Sequence, residues 1–156
     1  MSRLRLFHFS WHDVWFSSRV GYDTILESTA DGGLYLKYIV DMKPYSIELT
    51  DKEDEFIKCI EKCGLINLNG NKYYECCEDG YMWHIDIAYD DKVIRTCGDN
   101  AYPPEFWDFL EMKIKNWHMK KSVLVESIKA ERMKYHKECI VESMNDNELT
   151  WPSYIT

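Results

Sequence analysis

The chain has 156 residues, of which 46% are apolar and 15% aromatic, and 27 acidic side chains outnumber 19 basic ones for a net charge of −8. A chain of this size and aromatic content fits one compact domain that buries roughly 70% of its unfolded surface. The acidic balance argues against direct nucleic-acid binding, which needs cations to neutralise phosphates. Arg3, Arg5, His8, His12 and Asp13 interrupt Met1 to Phe16, so no secretory signal or membrane contact is expected and the protein is expected to be cytoplasmic. In that compartment the six cysteines are expected to stay reduced as small core hydrophobes.

Leu4 to Ser10 alternates loosely and reads as an opening strand, with Tyr22 to Thr29 as the second. Asp31-Gly32-Gly33 supplies positive-φ turn chemistry for a hairpin into Leu34 to Val40, a run rich in β formers. Tyr45 to Leu49 alternates apolar and polar, as a half-buried strand does. Thr50-Asp51-Lys52-Glu53 has the form of a capping box, with Thr50 accepting from the Glu53 amide and Glu53 reaching back. Phe56, Ile60 and Cys63 follow at helical spacing, flanked by Ile57 and Cys59, and Gly64 closes the helix.

Asn69-Gly70 marks another turn. Trp83, Ile85, Ile87 and Tyr89 then share one strand face, and His84, Asp86 and Ala88 the other. A two-residue loop at Asp90-Asp91 pairs Tyr89 with Lys92, Ile87 with Ile94 and Ile85 with Thr96 on the core side. It also sets Ala88 opposite Val93, Asp86 opposite Arg95 and His84 opposite Cys97 on an outer side, where the Asp86–Arg95 pair is expected to contribute only about 0.2–1 kcal/mol. Pro103-Pro104 opens a second helix with Phe106, Leu110, Ile114 and Trp117 as its buried stripe. From about Ser122 to Met144 a third helical segment carries Val125, Ile128, Arg132, Tyr135 and Cys139 at 3–4 spacing. It either continues the second helix or folds back, the absence of Gly or Pro between them favouring continuity or a slight bend, and the apolar end at Trp151, Tyr154 and Ile155 suits docking.

These elements predict an α+β fold: a mostly antiparallel sheet of about five to six strands, one inserted helix and one or two C-terminal helices. Residues 1–117 would form the core domain and 118–156 a helical extension docked on the core or on a partner. The acidic excess lies in 1–117, because charges balance from His118 onward.

Asp79-Gly80, Trp83-x-Ile85-x-Ile87, the short acidic turn and Gly98-x-Asn100-Ala101-Tyr102-Pro103 together resemble a widespread group of small bacterial and phage-borne proteins with no established activity. The resemblance spans about residues 4–115 and implies an N-terminal meander, a helix and a hairpin ending in a Gly-Ser-Asn-Ala-Tyr-Pro-type turn. This chain departs from it with Asp99 in place of Ser, with the Cys76-Cys77 pair and with its long C-terminal segment. The resemblance implies a fold and no site.

Chemistry is thinly marked. Cys59-x3-Cys63, Cys76-Cys77, Cys97 and five histidines offer one half of a zinc motif, so core packing is the plainer reading. His84 opposite Cys97, with Asp86 as orienter, is the one plausible nucleophilic pair, although His84 and Asp86 stand about 7 Å apart along their strand. His8 and His12 flank Trp11 and suggest a surface role or partner contact. Phosphate loops, dinucleotide fingerprints and nucleophile elbows are absent, and no cofactor or metal is expected.

The leading expectation is a non-enzymatic acidic binding protein, an inhibitor of the immunity or phage anti-defence (anti-CRISPR-like) kind, acting on a protein with a basic surface. Glu75, Glu78, Asp79, Asp90, Asp91 and Asp99 would form its charged rim, with Tyr81 and Tyr102 as anchors. The alternative is a small enzyme or a thiol- or metal-binding protein using His84, Cys97 and their neighbours.

Overall fold

Period-two alternation organises the molecule, because each strand of a sheet buries every second side chain. The computed structural model describes residues 2–13, 20–74, 80–134 and 140–145. Among them the strands are β1 Leu4–Asp13, β2 Val20–Ser28, β3 Leu34–Val40, β4 Lys43–Glu48, β5 Asn71–Tyr74, β6 Tyr81–Tyr89, β7 Lys92–Asp99 and β8 Ile140–Ser143. The helices are α1 Glu53–Cys63, α2 Pro104–Lys115 and α3 Val123–Lys134. One sheet takes the order β4-β3-β2-β1-β6-β7-β5-β8. Its pairings are antiparallel except that of β5 with β7, which is parallel. The fold is α+β as expected, with more strands than the five to six anticipated, because the four-residue β5 and β8 add to the sheet edge.

Phe7, Phe9 and Trp11 of β1, with Trp83, Ile85, Ile87 and Tyr89 of β6, lie almost completely buried on one face. Burying each such side chain stabilises the fold by roughly 1.5–3 kcal/mol. Phe56 of α1 and Phe106 and Phe109 of α2 close over them, with ring centroids 5.4 Å (Phe7–Phe56) and 5.2 Å (Phe9–Phe109) apart. The α3 helix joins the same layer: Val125 is fully buried, and Lys129 lies over the Trp107 ring of α2.

The β6–β7 hairpin has the register read from sequence, including Ile87 with Ile94, Asp86 with Arg95 and His84 with Cys97. Asp90 turns it with φ of 50°. Gly98 is required by close approach: a Cβ there would stand 2.2 Å from the indole nitrogen of Trp83, which donates to the Ala101 carbonyl.

Four expectations need correction. The capping box does not form, since α1 begins at Glu53 with no side-chain cap. The Thr50 hydroxyl accepts from the Leu34 amide and donates to Glu48, while Glu53 accepts from the Arg3 amide. Gly64 does end the helix, at φ of 76°. The α2 stripe centres on Phe106, Phe109, Leu110 and Lys113, with Ile114 and Trp117 only half-buried. No continuous helix follows: α2 ends at Lys115, His118 takes a left-handed φ of 52°, and Ser122 starts α3. Ser122 is fixed from outside its helix, because its hydroxyl donates to Asp41 at 2.7 Å and its amide to the Tyr22 hydroxyl at 2.8 Å. Finally, residues 140–143 form β8 on β5 instead of helix.

Candidate functional site

The second face of the sheet is built differently. Among the described residues, the contacts of α1, α2 and α3 run to the first face, and this one is open. One transverse row across it reads Ile39, Asp23, Ser10, His84, Cys97 and Lys72; the next reads Lys37, Ile25, His8, Asp86 and Arg95. Seven of these meet at the centre: Asp23, Ser10 and His8 from β2 and β1, with His84, Asp86, Cys97 and Arg95 from β6 and β7. Ile25, Ile39, Met82 and Val93 stand exposed around them.

Close polar contacts link the centre, some of them hydrogen bonds and some ion-pair approaches. His8 Nε2 lies 3.4 Å from Asp23 Oδ1, and His8 Nδ1 lies 3.9 Å from Asp86 Oδ2 and 3.3 Å from His84 Nε2. Ser10 Oγ is 2.9 Å from His84 Nδ1. Arg95 Nε donates to Asp86 Oδ1 at 2.9 Å. Although no helix among the described residues packs on this face, His8, Ser10, Asp86 and Arg95 are each under one-tenth exposed. The Asp86–Arg95 pair is therefore a buried ion pair, not the modest solvated one its register suggested.

Two adjacent histidines are driven in opposite directions. The carboxylates of Asp23 and Asp86 raise His8 to about 9 against the opposing effect of burial. Burial and then the charge on His8 lower His84 to about 4. Burial would raise the Asp86 carboxyl, but His8 and Arg95 outweigh it and hold it below its ordinary value. At neutral pH the centre thus holds two cations (His8 and Arg95), two carboxylates and one neutral imidazole, and its charges balance. His8, His84 and Asp86 offer one ligand atom each, all within 4.8 Å of one another, a donor set able to hold a metal ion.

Among the described residues, those picked from sequence fall into two groups at opposite ends of the hairpin. Asp90 and Asp91 sit at one end of β6, while Tyr81, Asp99 and Tyr102 lie at the other, roughly 25 Å away at about 3.3 Å per residue. Asp90 is engaged, accepting from Arg3 Nε at 3.0 Å and Nη2 at 2.7 Å, whereas Asp91 is exposed. Tyr81 stacks on Trp11 with ring centroids 4.4 Å apart, and Tyr102 packs against Phe106 and Trp107. Asp99 pairs across the hairpin with Met82. Glu75, Glu78, Asp79, Cys76, Cys77, Tyr135, Cys139, Trp151, Tyr154 and Ile155 lie outside the described residues. Cys59, Cys63 and Cys97 are free thiols. Burial raises Cys63 to about 11, and its sulfur donates to the Asp108 carbonyl.

His84, Asp86 and Cys97 were legible as a group, whereas His8, Ser10 and Asp23 were not. The missed signal was the alternation through Phe7-His8-Phe9-Ser10-Trp11, which puts His8 and Ser10 on one face of a strand whose other face is aromatic. No helix among the described residues is long and apolar enough to cross a membrane. Compared with family models, curated proteins and solved structures, the chain matches none of them.

Proposed function

We propose that the protein is a non-enzymatic binding protein that acts through protein–protein contact, with the open face of the sheet as its contact surface. One observation carries this reading: four exposed apolar side chains, Ile25, Ile39, Met82 and Val93, surround a buried, charge-balanced centre that includes Arg95. Apolar and arginine side chains around a desolvated centre are the usual composition of an interface core. The net charge of −8 favours a partner with a basic surface. The resemblance to phage-borne proteins favours an inhibitor of the immunity or anti-defence kind.

The reading moves the contact away from the acidic turns, because Asp90 already serves Arg3. It is tested by capture of a partner from bacterial lysate, followed by two variants. Ile25→Asp combined with Val93→Asp should abolish capture, whereas Asp91→Lys should slow association in low salt and leave the complex intact. A partner retained by the double variant and lost with Asp91→Lys would return the contact to the hairpin tip.

A further inference from the structure

The geometry points to a divalent transition-metal site made by His8 Nδ1, His84 Nε2 and an oxygen of Asp86 at the centre of the open face. The three donors lie within 4.8 Å of one another. His8 Nδ1 and His84 Nε2 are 3.3 Å apart. Two nitrogens bound to one tetrahedral ion at about 2.0–2.1 Å stand about 3.3 Å apart, so this spacing needs little adjustment. The two rings meet edge to face at 69°, an arrangement in which both lone pairs can aim at a common point.

The surrounding contacts distinguish this centre from a chance cluster of polar groups. A metal-bound imidazole is normally oriented by a hydrogen bond from its other nitrogen, and a metal-bound carboxylate by a donor to its other oxygen. Two of the three ligands have such a partner here, and the third, His8, has a carboxylate beside its other nitrogen. His8 Nε2 lies within ion-pair range of Asp23 Oδ1 at 3.4 Å, and Ser10 Oγ lies 2.9 Å from His84 Nδ1 and 3.2 Å from His84 Nε2. Asp86 Oδ1 accepts from Arg95 Nε at 2.9 Å, which leaves Oδ2, 3.9 Å from His8 Nδ1, as the ligand oxygen. The strands impose this arrangement: β1 and β6 pair His8 with Asp86 and Ser10 with His84 directly across the ladder.

Two imidazoles and one carboxylate suit Zn²⁺, Co²⁺ or Ni²⁺ and not Mg²⁺ or Ca²⁺, which select oxygen ligands. Among the described residues three protein donors are present, and a tetrahedral ion takes a fourth ligand beyond them. Asp23, with 44% of its side chain exposed, provides a polar entry on one side. The inference does not depend on the protein-contact reading, since it concerns the isolated chain.

The test titrates chelator-treated, full-length protein with Zn²⁺ by calorimetry and with Co²⁺ by visible absorption. One ion per chain is expected, with a four-coordinate cobalt spectrum that lacks thiolate charge transfer. His84→Ala and Asp86→Ala should lose binding. Ser10→Ala and Asp23→Asn keep every ligand and should weaken it about 10–100-fold, and Cys97→Ser should leave it unchanged. Circular dichroism checks that each variant is folded; should His84→Ala or Asp86→Ala fail that check, the Ser10→Ala and Asp23→Asn affinities decide. The site is refuted by folded wild-type protein that takes up no stoichiometric ion, by unchanged affinity in both of those variants, or by a cobalt spectrum with sulfur ligands.

Discussion

Lys113 and Arg95 are both buried cations, 2% and 8% exposed, on opposite faces of one sheet, and they are accommodated by different means. Arg95 meets the Asp86 carboxylate, with His8 and Asp23 completing a balanced set. Lys113 has no hydrogen-bond partner for its ammonium, which lies over the rings of Phe9 at 4.3 Å and Tyr22 at 4.6 Å. Ring faces attract a cation by about 2 kcal/mol when desolvated, less than burial of the charge costs, and burial lowers Lys113 to about 7. A buried charge can therefore be held by an opposite charge or can give up its proton, and this fold uses both solutions. The open face pairs its buried cation with a carboxylate, whereas burial draws the Lys113 titration down toward neutral pH.

Removing the anion should be the most damaging change. Asp86→Ala leaves His8 and Arg95 buried without their shared carboxylate and should cost about 3–5 kcal/mol in urea denaturation. A loss below about 1 kcal/mol would mean that the centre is solvated.

On the helix-covered face the sign reverses. Lys113 is lowered to about 7 in the fold against an ordinary 10.5, so the unfolded chain holds more protons between those values. Stability should therefore rise with pH from about 7 to 10.5, and the cost is fully present below that window. Lys113→Met should remove this slope and stabilise the protein at neutral pH by on the order of a few kcal/mol. An unchanged slope in the variant would place the titration on another group. Gly98→Ala drives a methyl into the Trp83 indole and should cost about 1–3 kcal/mol; a neutral result would show that the hairpin and α2 can separate. Smallest of all, Arg3→Ala removes solvent-exposed pairs with Asp54 and Asp90 and should barely move the denaturation midpoint.

Local patterns in the chain were informative wherever burial follows a period. The hairpin register, the Asp31-Gly32-Gly33 turn and the Gly64 helix end could all be read directly, because each depends on neighbours within a few residues. Partners supplied from far along the chain could not. Arg3, fifty residues away, occupies the Glu53 carboxylate that a capping box would use, and Asp41 sets the start of α3. All four residues of β8 are exposed, so no alternation marked it as a strand. The candidate site divides in the same way. His84, Asp86 and Cys97 follow from one hairpin, whereas His8, Ser10 and Asp23 arrive only through the pairings of β1 with β6 and β2. Distance along the strand made His84 and Asp86 look too far apart to cooperate, and His8 from the neighbouring strand bridges them.

The central claim is that the open face holds one coupled histidine–carboxylate centre, and imidazole nitrogen chemical shifts of the chelator-treated protein test it most directly. At pH 7 His84 should be neutral and His8 doubly protonated, with titrations near 4 and near 9. The stability from His8 should be present below its ordinary 6.5 and lost as pH rises through about 9; a loss of stability as pH falls from 6.5 through about 4 should come from His84. His8 and His84 titrating together near 6.5 would contradict the account, because they would not share a buried charge-balanced centre.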